Sequence, residues 1–143
     1  MVLRLGELLV KTTRISSEQL DRALRMQRER GGKLGKILVN LGFVSEDDIL
    51  EALSRQFDIP IADLEASDVD EQVLQIIPVA MVRRYNVVPL HKKGNTLHVA
   101  VSDPTDIFIV KDLGLFTGYK IKPFLASEVA IAKAIERFYE TTQ

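Results

Sequence analysis

Two tripeptides carry the chemistry that most needs an explanation: Arg4-Leu5-Gly6 and Lys33-Leu34-Gly35. Each opens an apolar helical pattern, RLGELLVKT at 4–12 and KLGKILVNL at 33–41. Glycine has no side chain, so a flat ligand can come close to the backbone there. A helix start offers unpaired N–H groups to a phosphate. Arginine forks onto the O6/N7 edge of guanine or stacks over a base, and lysine places a point charge where the fork would be. The same residues have a plainer reading, in which the glycines let two helices pack closely and the basic side chains are solvated. Gln27 and Gln56 stand at the end of apolar helical stripes, where an apolar residue is the easier choice.

Other chemistries find no residues. A phosphate-binding P-loop needs GxxxxGK[ST]; GGKLGKI has the wrong spacing, and Ile37 follows its lysine. The chain has no cysteine, which excludes disulfides and thiolate metal sites and allows a reducing compartment. His91 and His98 both fall on an expected hairpin and read as surface or half-buried structural histidines. No nucleophile–base grouping can be drawn. The expectation is a chain without catalytic residues, metal or cofactor.

The elements that position the two tripeptides are themselves duplicated. RLGELLVKTTRISSEQLDRALRMQ (4–27) and KLGKILVNLGFVSEDDILEALSRQ (33–56) agree at 8 of 24 positions. The polar spacer RERGG joins them. A similarity at fixed period marks a repeated supersecondary unit. Each unit reads as a short helix, a turn and a longer helix. Ser16 with Gln19 forms a capping-box pattern, and Ser45 with Asp48 is a weaker echo of it. Leu20, Ala23, Leu24 and Gln27 lie on one helical face, matched by Ile49, Ala52, Leu53 and Gln56.

After Gln56 the pattern changes. FDIPIADLEASD reads as a connector, because Pro60 cannot extend a helix and the acids are solvating. Two short helices flank Pro78, and a β-hairpin turns at Gly94-Asn95. SDPTDIFIVKDLGLF starts a helix with Pro104 near its first turn, YKIKPFLA is a third strand, and Ser127 caps a closing helix. The expected class is α+β: a helical tandem-repeat subdomain at 1–57, a linker at 58–68, and a small α/β subdomain with a three-stranded sheet at 69–143.

The bulk properties fit a globular chain. At 143 residues it can bury a real core, and its net charge of −1 gives no field for long nucleic acid. Arg4 and Glu7 break the N-terminal apolar run, so it is no signal peptide. No apolar run approaches the roughly 20 residues of a membrane span.

The pattern RLGxxLVxxGxIxxxxLxxALxxQ, present twice with a five-residue spacer, resembles the MshEN domain, the N-terminal domain of type II secretion and type IV pilus assembly ATPases of the GspE/PilB kind. The resemblance spans essentially the whole chain and implies a bacterial regulatory domain that binds cyclic di-GMP. That ligand is a two-fold ring of two guanosines and two phosphates, suited to a tandem repeat. By this resemblance Arg4 contacts guanine or phosphate, Leu5 and Gly6 floor the base, and Leu8 and Leu9 add apolar contact. Gln27 bonds the ligand or holds Arg4. Lys33, Leu34, Gly35, Ile37, Leu38 and Gln56 do the same for the second half. An aspartate of the α/β part also reaches the ligand in the family, and Asp103 is the matching position here; a helix N-cap beside Pro104 is its other reading. The implied partners are a secretion or pilus ATPase core and an inner-membrane platform protein, without DNA, RNA or membrane insertion. The implied location is the cytoplasm, reaching the inner membrane through partners.

Two positions depart from the pattern. Thr13 replaces the glycine that the second unit keeps as Gly42, and threonine is strained if the turn needs positive φ. Lys33 replaces the arginine, which weakens the second half-site. A second function therefore stands beside the first: a nucleotide-free domain docking an ATPase onto its membrane platform.

Overall fold

Serine hydroxyls start both long helices of the repeat. Ser16 Oγ accepts from Gln19 N while Ser16 N donates to the Gln19 side chain, and Ser45 and Asp48 make the same reciprocal pair. The second box, expected as a weak echo, is complete, because the shorter aspartate still reaches the N-cap amide. The computed structural model describes residues 4–65 and 69–139. It separates into two compact units, Met1–Asp58 and Ile59–Gln143.

The first unit holds α1 (Leu5–Lys11), α2 (Ser17–Arg30), α3 (Leu34–Asn40) and α4 (Glu46–Phe57). Most of the polar spacer is helix: Arg28 to Arg30 form the last turn of α2, and the break is confined to Gly31 and Gly32, both at positive φ (75° and 98°). The short helices exchange partners, so that α1 packs on α4 and α3 on α2. The buried core is correspondingly symmetric. Leu9, Ile15 and Ala23 from the first hairpin match Leu38, Val44 and Ala52 from the second, position for position.

Both α1 and α3 end in the same turn. The residue two beyond the cap donates back to the first carbonyl of the last turn: Arg14 N to Leu9 O, and Phe43 N to Leu38 O. The residue before it donates to the next carbonyl, Thr13 N to Val10 O and Gly42 N to Val39 O. This is a Schellman closure, which requires a left-handed residue at its corner. Gly42 takes φ 77° and Thr13 takes φ 60°. The strain expected at Thr13 is present in the backbone.

The second unit holds α5 (Glu71–Leu74), α6 (Val79–Tyr85), β1 (Val88–Lys93), β2 (Thr96–Val101), α7 (Ile107–Thr117), β3 (Lys120–Leu125) and α8 (Glu128–Tyr139). The sheet order is β1-β2-β3, with β1 antiparallel and β3 parallel to β2. α7 makes the crossover that a parallel pair needs. Val87, Val88, Leu97, Val99, Leu113, Leu125 and Ile131 are fully buried. Tyr139 ties α8 to α5 by donating to Leu74 O at 2.9 Å, and burial pushes its phenol up to about 12. The whole is the α+β fold expected.

The stretch expected as linker is partly built into this unit. Ala62 N donates to Leu125 O, Leu125 N to Pro60 O, and Ile61 bridges Leu125 in parallel. Arg137 holds the carbonyls of Leu64 and Glu65. Proline and acids discouraged a strand reading, but a single bridge at a sheet edge needs only one or two free backbone groups. Residues 66–68 of that linker lie outside the described residues.

Candidate functional site

The exchange of helices brings the two tripeptides together. A Cβ added to Gly6 would meet Leu20 Cδ1 at 2.6 Å and Leu34 Cδ2 at 3.3 Å. One added to Gly35 would meet Ile49 Cγ2 at 3.3 Å and Leu5 Cδ2 at 3.6 Å. Each leucine of an RLG or KLG tripeptide thus lies against the glycine of the other. The arrangement is pseudo-two-fold, and Arg4 and Lys33 stand at the paired starts of α1 and α3, both exposed. Neither side chain caps its own helix.

The same contacts revise several expected roles. A side chain at Gly6 would collide with Leu20 and one at Gly35 would be crowded by Ile49, so both glycines permit close helix packing; Gly6 is buried, while Gly35 is half-buried and keeps some surface. Leu9 and Leu38 are fully buried and offer no surface to a ligand. They face inward because α1 and α3 must present one residue per turn to the shared core. Leu5, Leu8, Leu34 and Ile37 are half-buried and keep some surface. Gln27 donates to Gly32 O at 3.0 Å, which pins the double-glycine break. Gln56, its counterpart, is half-buried at the end of α4.

Asp103 lies in the second unit and is half-buried. Its carboxylate accepts from Thr105 N at 2.9 Å and from the Thr105 hydroxyl, closing the SDPTD turn. It is not the helix N-cap. That role belongs to Asp106, which accepts from Phe108 N and Ile109 N, and α7 begins at Ile107, beyond Pro104. The two aspartates stand three apart around a proline, and sequence spacing alone did not separate them.

Electrostatics tie the first turn to α4. Arg14 pairs with Asp48 at 2.7 Å and with Glu51 at 3.2 Å, and Arg55 also reaches Glu51 at 3.2 Å. The repeat partner of Arg14 is Phe43, and there Arg22 of α2 sits 5.9 Å over the ring. One joint is an ion pair and its twin a cation–π contact. Asp48 is held below the usual carboxylate range, first by the Ser45 backbone amide, then by the Ser45 hydroxyl, with Arg14 adding a smaller share. A cleft at this joint is lined by Leu8, Thr12, Arg14, Asp48, Glu51 and Arg55. Even counting space open to solvent it encloses about 250 Å³, less than small-molecule pockets usually hold. It lies at the C-terminal end of α1, away from Arg4.

His91 and His98 are register partners across the hairpin, with rings 6.3 Å apart. Among the described residues no group of three His, Cys, Asp or Glu could hold a metal, and no helix is long and apolar enough to cross a membrane.

Residues 57–143 match the MshEN domain family, and the chain belongs to that family. The matched span is the second unit; the tandem repeat precedes it. Among curated proteins, the type IV pilus assembly ATPase PilB of Myxococcus xanthus is 40% identical over 95% of this chain and 24% of its own length. PilB of Thermus thermophilus is 34% identical over 95% of this chain and 16% of its own. Type II secretion system protein E of Xanthomonas campestris is 26% identical over 95% and 25%. The chain therefore spans about a quarter or less of these relatives. A structure of MshE with cdg, the usual short form of cyclic di-GMP, superposes with TM-score 0.88 at 34% identity, covering 96% of this chain and 99% of that one. The N-terminal domain of XpsE follows at TM-score 0.75 and 25% identity, covering 95% and 94%. Both superpositions include the repeat.

Proposed function

We propose that this chain is a cyclic di-GMP-binding regulatory module of a type II secretion or type IV pilus assembly ATPase. The observation that carries the reading is the pairing of the tripeptides: Leu5 against Gly35 and Leu34 against Gly6. A two-fold ligand needs two like surfaces side by side, and this pairing supplies them from one chain. The likeness to MshE with cdg across nearly the whole chain supports the same reading. Arg4 contacts one guanine or phosphate and Lys33 the other. Leu5, Leu8, Leu34 and Ile37 give apolar contact. The module works in the cytoplasm and acts on an ATPase core and its membrane platform.

Titration calorimetry with cyclic di-GMP tests this, with GTP and cyclic di-AMP as controls. Saturable 1:1 binding is expected. Arg4→Ala should cost roughly 1–3 kcal/mol, the scale of one good bidentate base contact. Lys33→Arg should tighten binding, because it restores the planar fork. Unchanged affinity in Arg4→Ala would place the ligand elsewhere.

The second reading is a docking domain that binds no nucleotide. The side chains packed against both glycines favour it, since close helix packing alone accounts for a glycine at each of these positions. Absence of heat with wild type and with Lys33→Arg would select it.

A further inference from the structure

The three strands of the second unit contain no acidic residue. Alternation along paired strands puts His91, Lys93, Thr96, His98, Ala100, Lys120, Lys122 and Phe124 on one face, fixed by the register His91↔His98, Lys93↔Thr96, Thr96↔Lys120 and His98↔Lys122. At the Ala100 end this face is covered. Toward the hairpin turn it is open, with His91, Lys93, Lys120 and Lys122 all exposed. Three lysines and two histidines share a patch three strands wide. No carboxylate pairs with any of them among the described residues.

We infer that the hairpin end of this sheet face is a docking surface for an extended acidic segment of a partner protein. Charge complementarity sets the sign of the partner. Spacing sets its conformation: Lys120 and Lys122 stand two residues apart on β3, so they repeat at the interval of alternate side chains on an extended strand. An acidic segment with carboxylates at every second position meets them in step. Burial together with Lys122, His91 and Lys93 holds the His98 imidazole below its ordinary value, as expected where positive charge is uncompensated.

The competing polyanions fit less well. Single-stranded nucleic acid binds such sheets through free aromatic faces. Here Phe124 is half-buried and already engaged, with His98 at 5.0 Å and Lys122 at 5.8 Å. A bilayer surface calls for apolar groups beside the cations. The exposed large apolar residues, among them Phe108, Leu115 and Phe116, lie off the strands. The inference does not depend on nucleotide binding by the repeat, which uses other residues.

The test uses the whole chain and two fluorescein-labelled ten-residue peptides of equal composition. In one, five glutamates alternate with five serines; in the other, the five glutamates form one block. Anisotropy titration at low salt should show binding of the alternating peptide, at least threefold tighter than the blocked one. Lys120→Glu with Lys122→Glu should weaken it at least tenfold, while Lys120→Arg with Lys122→Arg retains it. Both positions are exposed, and an unchanged thermal melt verifies the fold of each variant. Cyclic di-GMP affinity should be the same in all variants if the repeat binds it. Equal binding of the alternating peptide by the charge-reversed chain would overturn the inference. So would equal affinity for the two peptides. Tighter binding of a thymidine ten-mer or of phosphatidylglycerol vesicles through these lysines would reassign the surface to nucleic acid or lipid.

Discussion

At the residue scale the sharpest anomaly is Thr13. Its φ of 60° is nearly that of Gly42 at 77°, so the turn is the same in both repeats and the side chain carries the difference. A β-branched residue in the left-handed region is a genuine outlier, costing about 1–2 kcal/mol. Its hydroxyl bond to Thr12 O is exposed and offsets little. Glycine removes the strain but adds unfolded-chain entropy worth about 0.5–1 kcal/mol. Strain wins, and Thr13→Gly should stabilise the first unit by about 0.5–1 kcal/mol in urea unfolding. Gly42→Thr should do the reverse; no loss there would remove the strain argument. The glycine position was readable from the repeat, because alignment set a threonine beside a glycine. The burial of Leu9 and Leu38 was not: a motif states which residues recur, while the helix that arrives from the other repeat decides which face is covered.

At the element scale the long helices depend on their first turns. The reciprocal bonds of Ser16 with Gln19 and of Ser45 with Asp48 satisfy amides that helix starts leave unpaired. Both were legible as a serine with a polar residue three later, since capping is local. Asp48 adds a titratable element. Its folded pKa lies below its unfolded one, so folding favours the carboxylate. The stability it contributes is complete above the unfolded carboxylate value, near pH 4, and is lost as pH falls through the folded value. Urea unfolding followed from pH 7 to pH 2.5 should therefore show an acid limb that Asp48→Asn flattens. An identical limb in the variant would assign acid sensitivity to other carboxylates. The joint between Arg14 and Asp48 was invisible in sequence, because its partners are separated by 34 positions and its repeat twin uses an aromatic ring instead.

At the scale of the whole molecule, the sequence shows two hairpins but not their exchange. Helix periodicity tells that Leu5, Leu8 and Leu9 face a partner, without telling which partner. Exchange explains why the repeat occurs twice: α1 packs mainly on α4 and α3 on α2, so each hairpin needs the other to complete its apolar core. Each hairpin would keep three of the six core residues, Leu9, Ile15 and Ala23 or Leu38, Val44 and Ala52, and expose them. A lone seven-residue α1 is also well below the roughly 12–15 residues at which isolated helices become even marginal. A fragment ending at Gly31 should therefore be largely unstructured by far-UV circular dichroism. Mixed with a fragment of residues 32–58, it should gain helix in proportion to the complex formed, with an end point at equimolar ratio. Exchange makes that gain depend on Leu9 and Leu38 alike, so Leu38→Ala in the second fragment should abolish the helix gained by the first. Cooperative folding of the 1–31 fragment alone would mean that each hairpin closes on itself, and the pairing of Arg4-Leu5-Gly6 with Lys33-Leu34-Gly35 would lose its structural cause.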